Sequence, residues 1–252
     1  MGELYERTDI YDLFDNEKKY NTIRRHWETL LKGKEIQSFL DISYGTGSLT
    51  LPLAELGVSL YGSDLSEAML KRGREKADEK GLQVDLRQCD FRKLKSSFSE
   101  KFDCVGSTGN SLPYVSNDEV LHVLEQMDEM IKSRGWLYFD MRNWDRILQE
   151  RRRFYLYNPV FLEDVRVNLI QVWDYNADDS MTFNLLYTFE KEGKIFQKEI
   201  FEEHYIPIKR EILIQKLAQM QYEDIEIKCH PACFENVDAE AADWYCVMAR
   251  KK

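Results

Sequence analysis

The chain has 252 residues, 43% hydrophobic, 13% aromatic and 32% charged. That composition excludes a disordered chain, a collagen and a disulfide miniprotein, and the length suits one α/β domain or one with an insertion. The formal net charge of −10 argues against a non-specific grip on nucleic acid, which needs clustered Lys and Arg, but leaves room for a small anion held by one arginine. No uncharged apolar run approaches the ~18–20 residues of a membrane span. The charged start MGELYERTDIYDLF lacks the apolar core of a secretory signal, and Glu6 breaks the myristoylation pattern. The expectation is a soluble, cytoplasmic protein with no membrane or nucleic-acid partner.

Residues 1–35 read as a mostly helical, aromatic-rich cap ending at Gly33. Ile36–Ile42 has the pattern of a buried strand, followed by the small-residue turn Ser43-Tyr44-Gly45-Thr46-Gly47 and a helix over 48–55. Val58–Gly62 is a second strand running into Asp64, and Ser66–Lys80 a helix whose first turn Asp64 or Ser66 can cap. Val84–Cys89 is a third strand ending at Asp90, and Phe102–Ser107 a fourth ending in Thr108-Gly109-Asn110-Ser111. Asp118–Lys132 has apolar residues at helical spacing, and Trp136–Met141 is a fifth strand ending in Arg142-Asn143. Strands alternating with helices in this way predict a doubly wound, mostly parallel sheet.

Past residue 150 the rhythm changes. Val165–Trp173, Ser180–Glu190 and Lys194–Ile206 are strand-like and separated by the turn signals Asn176–Asp179 and Glu192-Gly193. Arg210–Met220 reads as a helix, followed by strands Asp224–Lys228 and Trp244–Ala249. The predicted organisation is a helical cap (1–35), a core (36–150), an antiparallel substrate lid inserted after strand five (151–206), and a helix and strands that complete the core (207–252).

Ligands of an open α/β sheet bind beyond the carboxyl ends of its strands. Five consecutive strand ends here deliver Gly45 and Gly47, Asp64, Asp90, Asn110 and Arg142 to one rim. Turn preference explains any one of these, but five in register less well. Glycines let backbone approach a ligand, and an acid ending the second strand suits ribose hydroxyls.

The segments FLDISYGTGSLTLPLAELG, LYGSDLSEAML and QCDFRKL resemble the successive motifs of class I S-adenosylmethionine-dependent methyltransferases. Ser43 stands where the family's first glycine usually is, and Tyr44 where a small residue is usual. The resemblance implies S-adenosylmethionine as cofactor. Asp41, Ser43, Gly45, Gly47 and Leu65 would line it, Asp64 would hold the ribose, and Asp90 with the Phe91 backbone would meet the adenine amino group. TGNSLPYV and FDMRNWDRIL are similar to glycine and glycine/sarcosine N-methyltransferases. That narrower resemblance implies an arginine on the acceptor carboxylate, here Arg142. It also implies an asparagine at the methionine end and the acceptor amine, here Asn110, and a cationic residue on the cofactor carboxylate, at the position of Lys19.

Methyl transfer from a sulfonium is an in-line displacement that needs alignment and exclusion of water. Arg142 suits a carboxylate by its planar fork, the alternative being a bond to local carbonyls or to Asp145. Tyr11, Tyr155, Tyr157 and Tyr205 are candidates to face the sulfonium or acceptor, against ordinary aromatic packing. The reading is a small-molecule methyltransferase, with glycine or sarcosine the expected acceptor and N-methylation the expected reaction. Its alternatives are O- or C-methylation, an NAD-dependent oxidoreductase, and a non-catalytic cofactor-binding module. A homo-oligomer is compatible with the sequence.

Other features carry the bland reading. The five cysteines (Cys89, Cys104, Cys229, Cys233, Cys246) read as free thiols. Cys229-His230-Pro231-Ala232-Cys233 lacks the second pair of a zinc site, so no metal is expected. Arg151-Arg152-Arg153 reads as a solvated hinge, and a general-base role for His204 as the lesser alternative to a surface position.

Overall fold

The computed structural model describes residues 2–231 and 238–252. The chain starts with short helical pieces, Glu3–Glu6, α1 (Thr8–Tyr11) and Asp12–Phe14, before the long α2 (Glu17–Leu31). Asn16 caps α2 by accepting from the Lys19 amide. The alternating core follows as β1 (Ser38–Asp41), α3 (Leu51–Glu55), β2 (Ser59–Asp64), α4 (Glu67–Glu79), β3 (Val84–Gln88), β4 (Phe102–Ser107), α5 (Asn117–Met130) and β5 (Ile131–Arg142). Ser116 opens α5 in a capping box with Glu119.

After α6 (Trp144–Glu150) come β6 (Phe154–Leu156), β7 (Val160–Leu162), β8 (Val165–Tyr175), β9 (Met181–Lys191) and β10 (Lys194–Tyr205). The chain then returns through α7 (Arg210–Gln219), β11 (Tyr222–Cys229) and β12 (Trp244–Lys251). Two sheets result, one of order β11-β12-β5-β4-β1-β2-β3 and one of order β10-β9-β8-β6, with β7 beside β8. β1 to β5 pair in parallel, whereas β12 and β11 close the edge antiparallel. The chain winds one way from β1 to β3 and then the other way from β4. The loops after β1 and β4 therefore diverge and open a crevice between them.

Strand alternation divides the core. Phe39, Leu60, Cys104, Tyr138 and Met248 face α2, α3 and α4, where Trp27, Leu53 and Leu70 meet them. Leu40, Val105, Leu137, Phe139 and Val247 face the other way, toward Val123, Leu124 and Met127 of α5 and Leu213 and Leu217 of α7. Each such buried side chain is worth roughly 1.5–3 kcal/mol. The second sheet buries one face only: Val167, Leu169, Gln171 and Trp173, then Met181, Phe183, Leu185 and Tyr187, then Phe201 and Glu203. Between β9 and β10, Glu192 and Gly193 both take positive φ, 52° and 73°, as a tight two-residue hairpin requires.

Some boundaries differ from the sequence expectation. β5 begins at Ile131, inside the predicted helix, because Ile131 pairs with Phe102 and a register shift over Arg134-Gly135 lets Trp136 meet Cys104. The helix after the glycine turn is short, since residues 46–50 remain in the turn ahead of Pro52. The cap is helical only in pieces, and β6, β7 and α6 carry no pattern long enough to read.

Candidate active site

Asp41 ends β1 and is fully buried. One oxygen accepts from the Ser43 amide (3.0 Å), the other from the hydroxyls of Thr50 (2.9 Å) and Thr108 (2.8 Å). Burial pushes its carboxyl up to about 7, against the pull of those three bonds. Asp41 therefore lies beneath the glycine turn and not on its open side; it clamps the turn to β4 from below. Ser43 completes the clamp, donating to the Thr108 carbonyl (3.0 Å) and accepting from the Thr108 amide (2.9 Å).

The turn itself needs glycine at Gly45 and Gly47, whose φ values are +57° and +80°. Tyr44, the large residue in a small-residue motif, turns its ring inward and is 3% exposed. Three glycines make the space. A Cβ on Gly62 or on Gly73 would stand 2.7 Å from that ring, and one on Gly47 2.6 Å from its Cζ. Trp27 ties α2 to the same loop by donating to the Leu49 carbonyl at 2.7 Å.

Asp64 ends β2. Its carboxylate accepts from the Gly45 amide (2.9 Å) and the Ser66 amide (2.9 Å), and burial raises its pKa. At the ends of β4 and β5, Gly109 and Asn110 take φ values of 75° and 63°. The Asp140 carboxylate holds the Gly109 amide at 3.0 Å and receives Trp244 Nε1 (3.0 Å) and the Tyr138 hydroxyl (3.2 Å). Asn110 accepts from the Arg142 amide at 3.1 Å through its side-chain oxygen, while its buried Nδ2 has no partner among the described residues.

Ser43, Tyr44, Gly45, Asp64, Thr108 and Gly109 line a small cavity of about 40 Å³, roofed by Tyr5 and Tyr11 from the N-terminal segment. Four expected residues, Lys19, Asp90, Leu65 and Phe91, lie elsewhere. Lys19 pairs with Asp15 at 2.6 Å and faces a separate depression beyond Gly47, because Asp12 and Asp15 are drawn onto Thr46 and Lys76. Asp90 caps the turn at Phe91 and carries the fork of Arg92 at 2.7 Å, which holds its carboxyl below the usual range. Leu65 is 51% exposed and Phe91 half-buried at the outer end of the rim; neither borders the cavity.

Arg142 ends β5 and is 6% exposed. Its guanidinium lies 5.2–5.4 Å from the ring centres of Tyr155, Trp173, Phe183 and Trp244. Nη2 donates to the Tyr157 hydroxyl (3.3 Å) and to Gln171 Oε1 (3.2 Å). Among the described residues no carboxylate forms an ion pair with it, and Asp145 instead accepts from the Arg210 amide. Desolvation opposes its charge, yet the phenolic groups around it, Tyr157 first, leave its pKa raised. Tyr155 stacks on Trp173, and Tyr205 bonds the Tyr114 hydroxyl at 2.7 Å.

Sequence reasoning missed Asp140, Glu203, Tyr5 and Tyr114. Asp140 left a signal, an acid inside a buried strand, whereas the tyrosines are brought together only by the fold. His204 is on the outer face of β10, exposed and bonded to Thr182. Arg152 and Arg153 pair with Asp243 and Asp174. His230 is buried against His26 and Trp244. No metal-binding group of acids, histidines and cysteines forms among the described residues, and Cys233 lies outside them.

Residues 39–135 match the family described as "Methyltransferase domain". That segment carries a methyltransferase domain, and the fold around it is the one seen in S-adenosylmethionine-dependent methyltransferases. It is 32% identical over 147 residues to a chain from Geobacillus sp. (strain WCH70) named as a methyltransferase, covering 56% of this chain and 59% of that one. It is 31% identical over 121 residues to the glycine/sarcosine N-methyltransferase of Parasynechococcus marenigrum, covering 48% and 43%. The chain thus spans about half the length of the curated relatives it matches. The whole methyltransferase fold, second sheet included, superposes on an S-adenosylmethionine-dependent methyltransferase from Clostridium acetobutylicum with a TM-score of 0.73, 19% identity and 97% of each chain covered. No helix among the described residues is long and apolar enough to cross a membrane.

Proposed function

We propose that this protein methylates a small amine that also carries a carboxylate, an amino acid such as glycine or sarcosine, with S-adenosylmethionine as donor. The observation that carries the acceptor assignment is Arg142. A buried cation without an anionic partner costs several kcal/mol, and the guanidinium donates only from Nη2 among the described residues. An acceptor carboxylate supplies the missing charge, and the planar fork holds it by two bonds.

The strand-end residues fit the donor. Asp64 keeps lone pairs free on a carboxylate already fixed by two backbone amides, as a ribose clamp requires. Backbone at Gly45 lies open to a ligand, since a Cβ there would meet only the Tyr11 hydroxyl, at 3.8 Å. Asn110 Nδ2 and the Tyr44 hydroxyl are buried without partners among the described residues, and a polar ligand that reaches such groups satisfies them. Leu65 and Phe91 offer an apolar seat for adenine at the outer rim. S-adenosylmethionine, when bound, supplies a methyl group on sulfur open to in-line displacement. Arg142 would orient the acceptor, the aromatic faces of Tyr11, Tyr155, Tyr157 and Tyr205 would favour positive charge nearby, and the second sheet would keep water out. Alignment of this kind can supply roughly 7–11 kcal/mol. The cavity is far smaller than a nucleoside, so the segment bearing Tyr5 and Tyr11 moves aside on entry.

The test is calorimetric binding of S-adenosylmethionine and S-adenosylhomocysteine, followed by mass analysis of products from glycine, sarcosine and matched acceptors lacking the carboxylate. Methylation of the amino acids and not of the decarboxylated amines is the expected result. Transfer only to acceptors without a carboxylate overturns the acceptor assignment, and failure to bind either nucleoside overturns the whole reading.

A further inference from the structure

The inner face of the second sheet holds one carboxylate that the reaction as described does not use. Glu203 on β10 is 3% exposed. Its Oε2 accepts from the Tyr114 hydroxyl at 2.9 Å, and its buried Oε1 has no hydrogen-bond partner among the described residues. The Tyr114 hydroxyl is also 2.5 Å from that of Tyr5 and 2.7 Å from that of Tyr205.

Valence fixes the direction of every bond in this cluster. A phenol has one proton to give and two lone pairs. An ionised carboxylate only accepts, so Tyr114 gives its proton to Glu203, and Tyr5 and Tyr205 must donate to Tyr114. Both donors reach the proposed site. Tyr5 lines the cavity at the glycine turn. Tyr205 packs on Phe183 at 4.8 Å, and Phe183 lies 5.3 Å from the Arg142 guanidinium. The hydroxyls thus form a wire from the acceptor site to a buried acid.

We propose that Glu203 is the terminal proton acceptor of the reaction, reached from the acceptor through Tyr205 and Tyr114, and that the acceptor enters as a protonated amine. This rests on the amine reading given above. In the step, the acceptor N–H bond breaks and its proton goes to the Tyr205 oxygen. Tyr205's own proton passes to Tyr114, and Tyr114's to Oε2 of Glu203. The nitrogen lone pair is freed for the methyl group, all phenols end neutral, and Glu203 ends as a carboxylic acid. No oxidant or metal enters the balance. Arg142 then holds the carboxylate of the acceptor, and Glu203 takes up the proton that its amine gives away.

Burial pushes the Glu203 carboxyl up to about 7, against the pull of the Tyr114 hydroxyl. Tyr5, Tyr114 and Tyr205 face it directly, and Tyr187 of β9 feels its charge. Glu202 and His204 point to the opposite, exposed face of β10. A group with that pKa is ionised only in part at neutral pH, as a proton acceptor working near pH 7 should be. A carboxylate used merely to tie β10 to Tyr114 would be replaceable by an amide.

The experiment is the pH dependence of kcat and kcat/KM for sarcosine in wild type, Glu203→Gln and Tyr205→Phe, between pH 5.5 and 9.5. Wild-type kcat should rise with pH through a limb near 7. Glu203→Gln should lose that limb and roughly 100-fold in kcat, with sarcosine KM and S-adenosylmethionine affinity little changed. Tyr205→Phe, which leaves the carboxylate in place, should show the same loss. A secondary amine acid of low basicity, already neutral at pH 7, should recover most of the rate in Glu203→Gln. Retention of the limb and rate in both variants overturns the proposal while leaving the amine reading intact. Absence of any methylated amine from the wild type overturns both.

Discussion

The two halves of the proposed site are built by opposite means. Around the glycine turn, acids hold backbone: Asp41 holds Ser43, Asp64 holds Gly45 and Ser66, and Asp140 holds Gly109. Around Arg142, side chains hold a side chain, with four aromatic rings and two neutral oxygens enclosing one cation. The first half holds its turns in place without a ligand. Among the described residues, the second is short of one negative charge. Damage to the first should therefore show in donor affinity, and damage to the second in acceptor kinetics.

The largest separation should come from Gly47→Val. Valine strongly resists φ near +80°, and its Cβ would collide with the Tyr44 ring. S-adenosylmethionine affinity should fall by at least ~100-fold, or about 2.7 kcal/mol, read by calorimetry. The cause differs from the one the sequence suggests, which is a side chain in the ligand's space: here the side chain meets the protein's own tyrosine. A variant that binds normally would show that the turn does not touch the donor.

This contrast also marks what could be read from the sequence. The first half is written locally, because a strand, a small-residue turn and an acid at the next strand end sit within about 25 residues, and strand ends of an open sheet converge on one edge. Asp64, Gly45, Gly47 and Arg142 were visible for that reason. Asp41 was visible too, but which side of the turn it serves depends on Thr108, 67 residues away. Tyr5 and Tyr114 are 109 residues apart, and no periodicity announces their meeting. Lys19 was misplaced because Asp15, four residues earlier, captures it.

Arg142→Lys sharpens the comparison from the other side. Lysine keeps the charge but loses the fork and the flat face that stacks on the rings. The acceptor KM should rise roughly 10- to 100-fold, equivalent to ~1.4–2.7 kcal/mol, with donor affinity unchanged. Steady-state kinetics on sarcosine decide it. An equal loss of donor affinity would mean that Arg142 supports the cleft and not the acceptor.

A smaller effect tests the acids of the first half together. Asp41 and Asp140 are both pushed up to about 7 by burial. A carboxyl whose folded pKa is raised contributes stability that is fully present below its unfolded value, near 4, and lost as pH climbs through about 7. The carboxylates lowered by ion pairs, such as Asp90, are ionised in both states above pH 5 and leave the sign alone. The unliganded protein should melt several degrees higher at pH 5.5 than at pH 8, about 2–4 °C for each kcal/mol, and Asp140→Asn should shrink the difference. His26 and His230, which burial keeps neutral with pKa values of about 3, act the other way below their unfolded value of about 6.5. A lower melting temperature at pH 5.5 would therefore mean that they outweigh the clamps.

The finest test concerns one hydroxyl. Tyr44 fills the space left by Gly47, Gly62 and Gly73, yet its buried hydroxyl has no partner among the described residues, and the residue is one of those lining the cavity that the donor would enter. An unsatisfied buried hydroxyl costs roughly 1–3 kcal/mol. Tyr44→Phe keeps the ring, so the unliganded protein should hold its melting temperature or gain slightly. If the donor supplies the missing partner, that gain reverses on binding, and S-adenosylmethionine affinity should fall by about 3- to 10-fold, near the ~1 kcal/mol of one neutral hydrogen bond. Acceptor KM should not move, because Tyr44 belongs wholly to the backbone-held half. A stabilised variant with unchanged donor affinity would make Tyr44 a packing residue and place the donor farther from the floor of the turn.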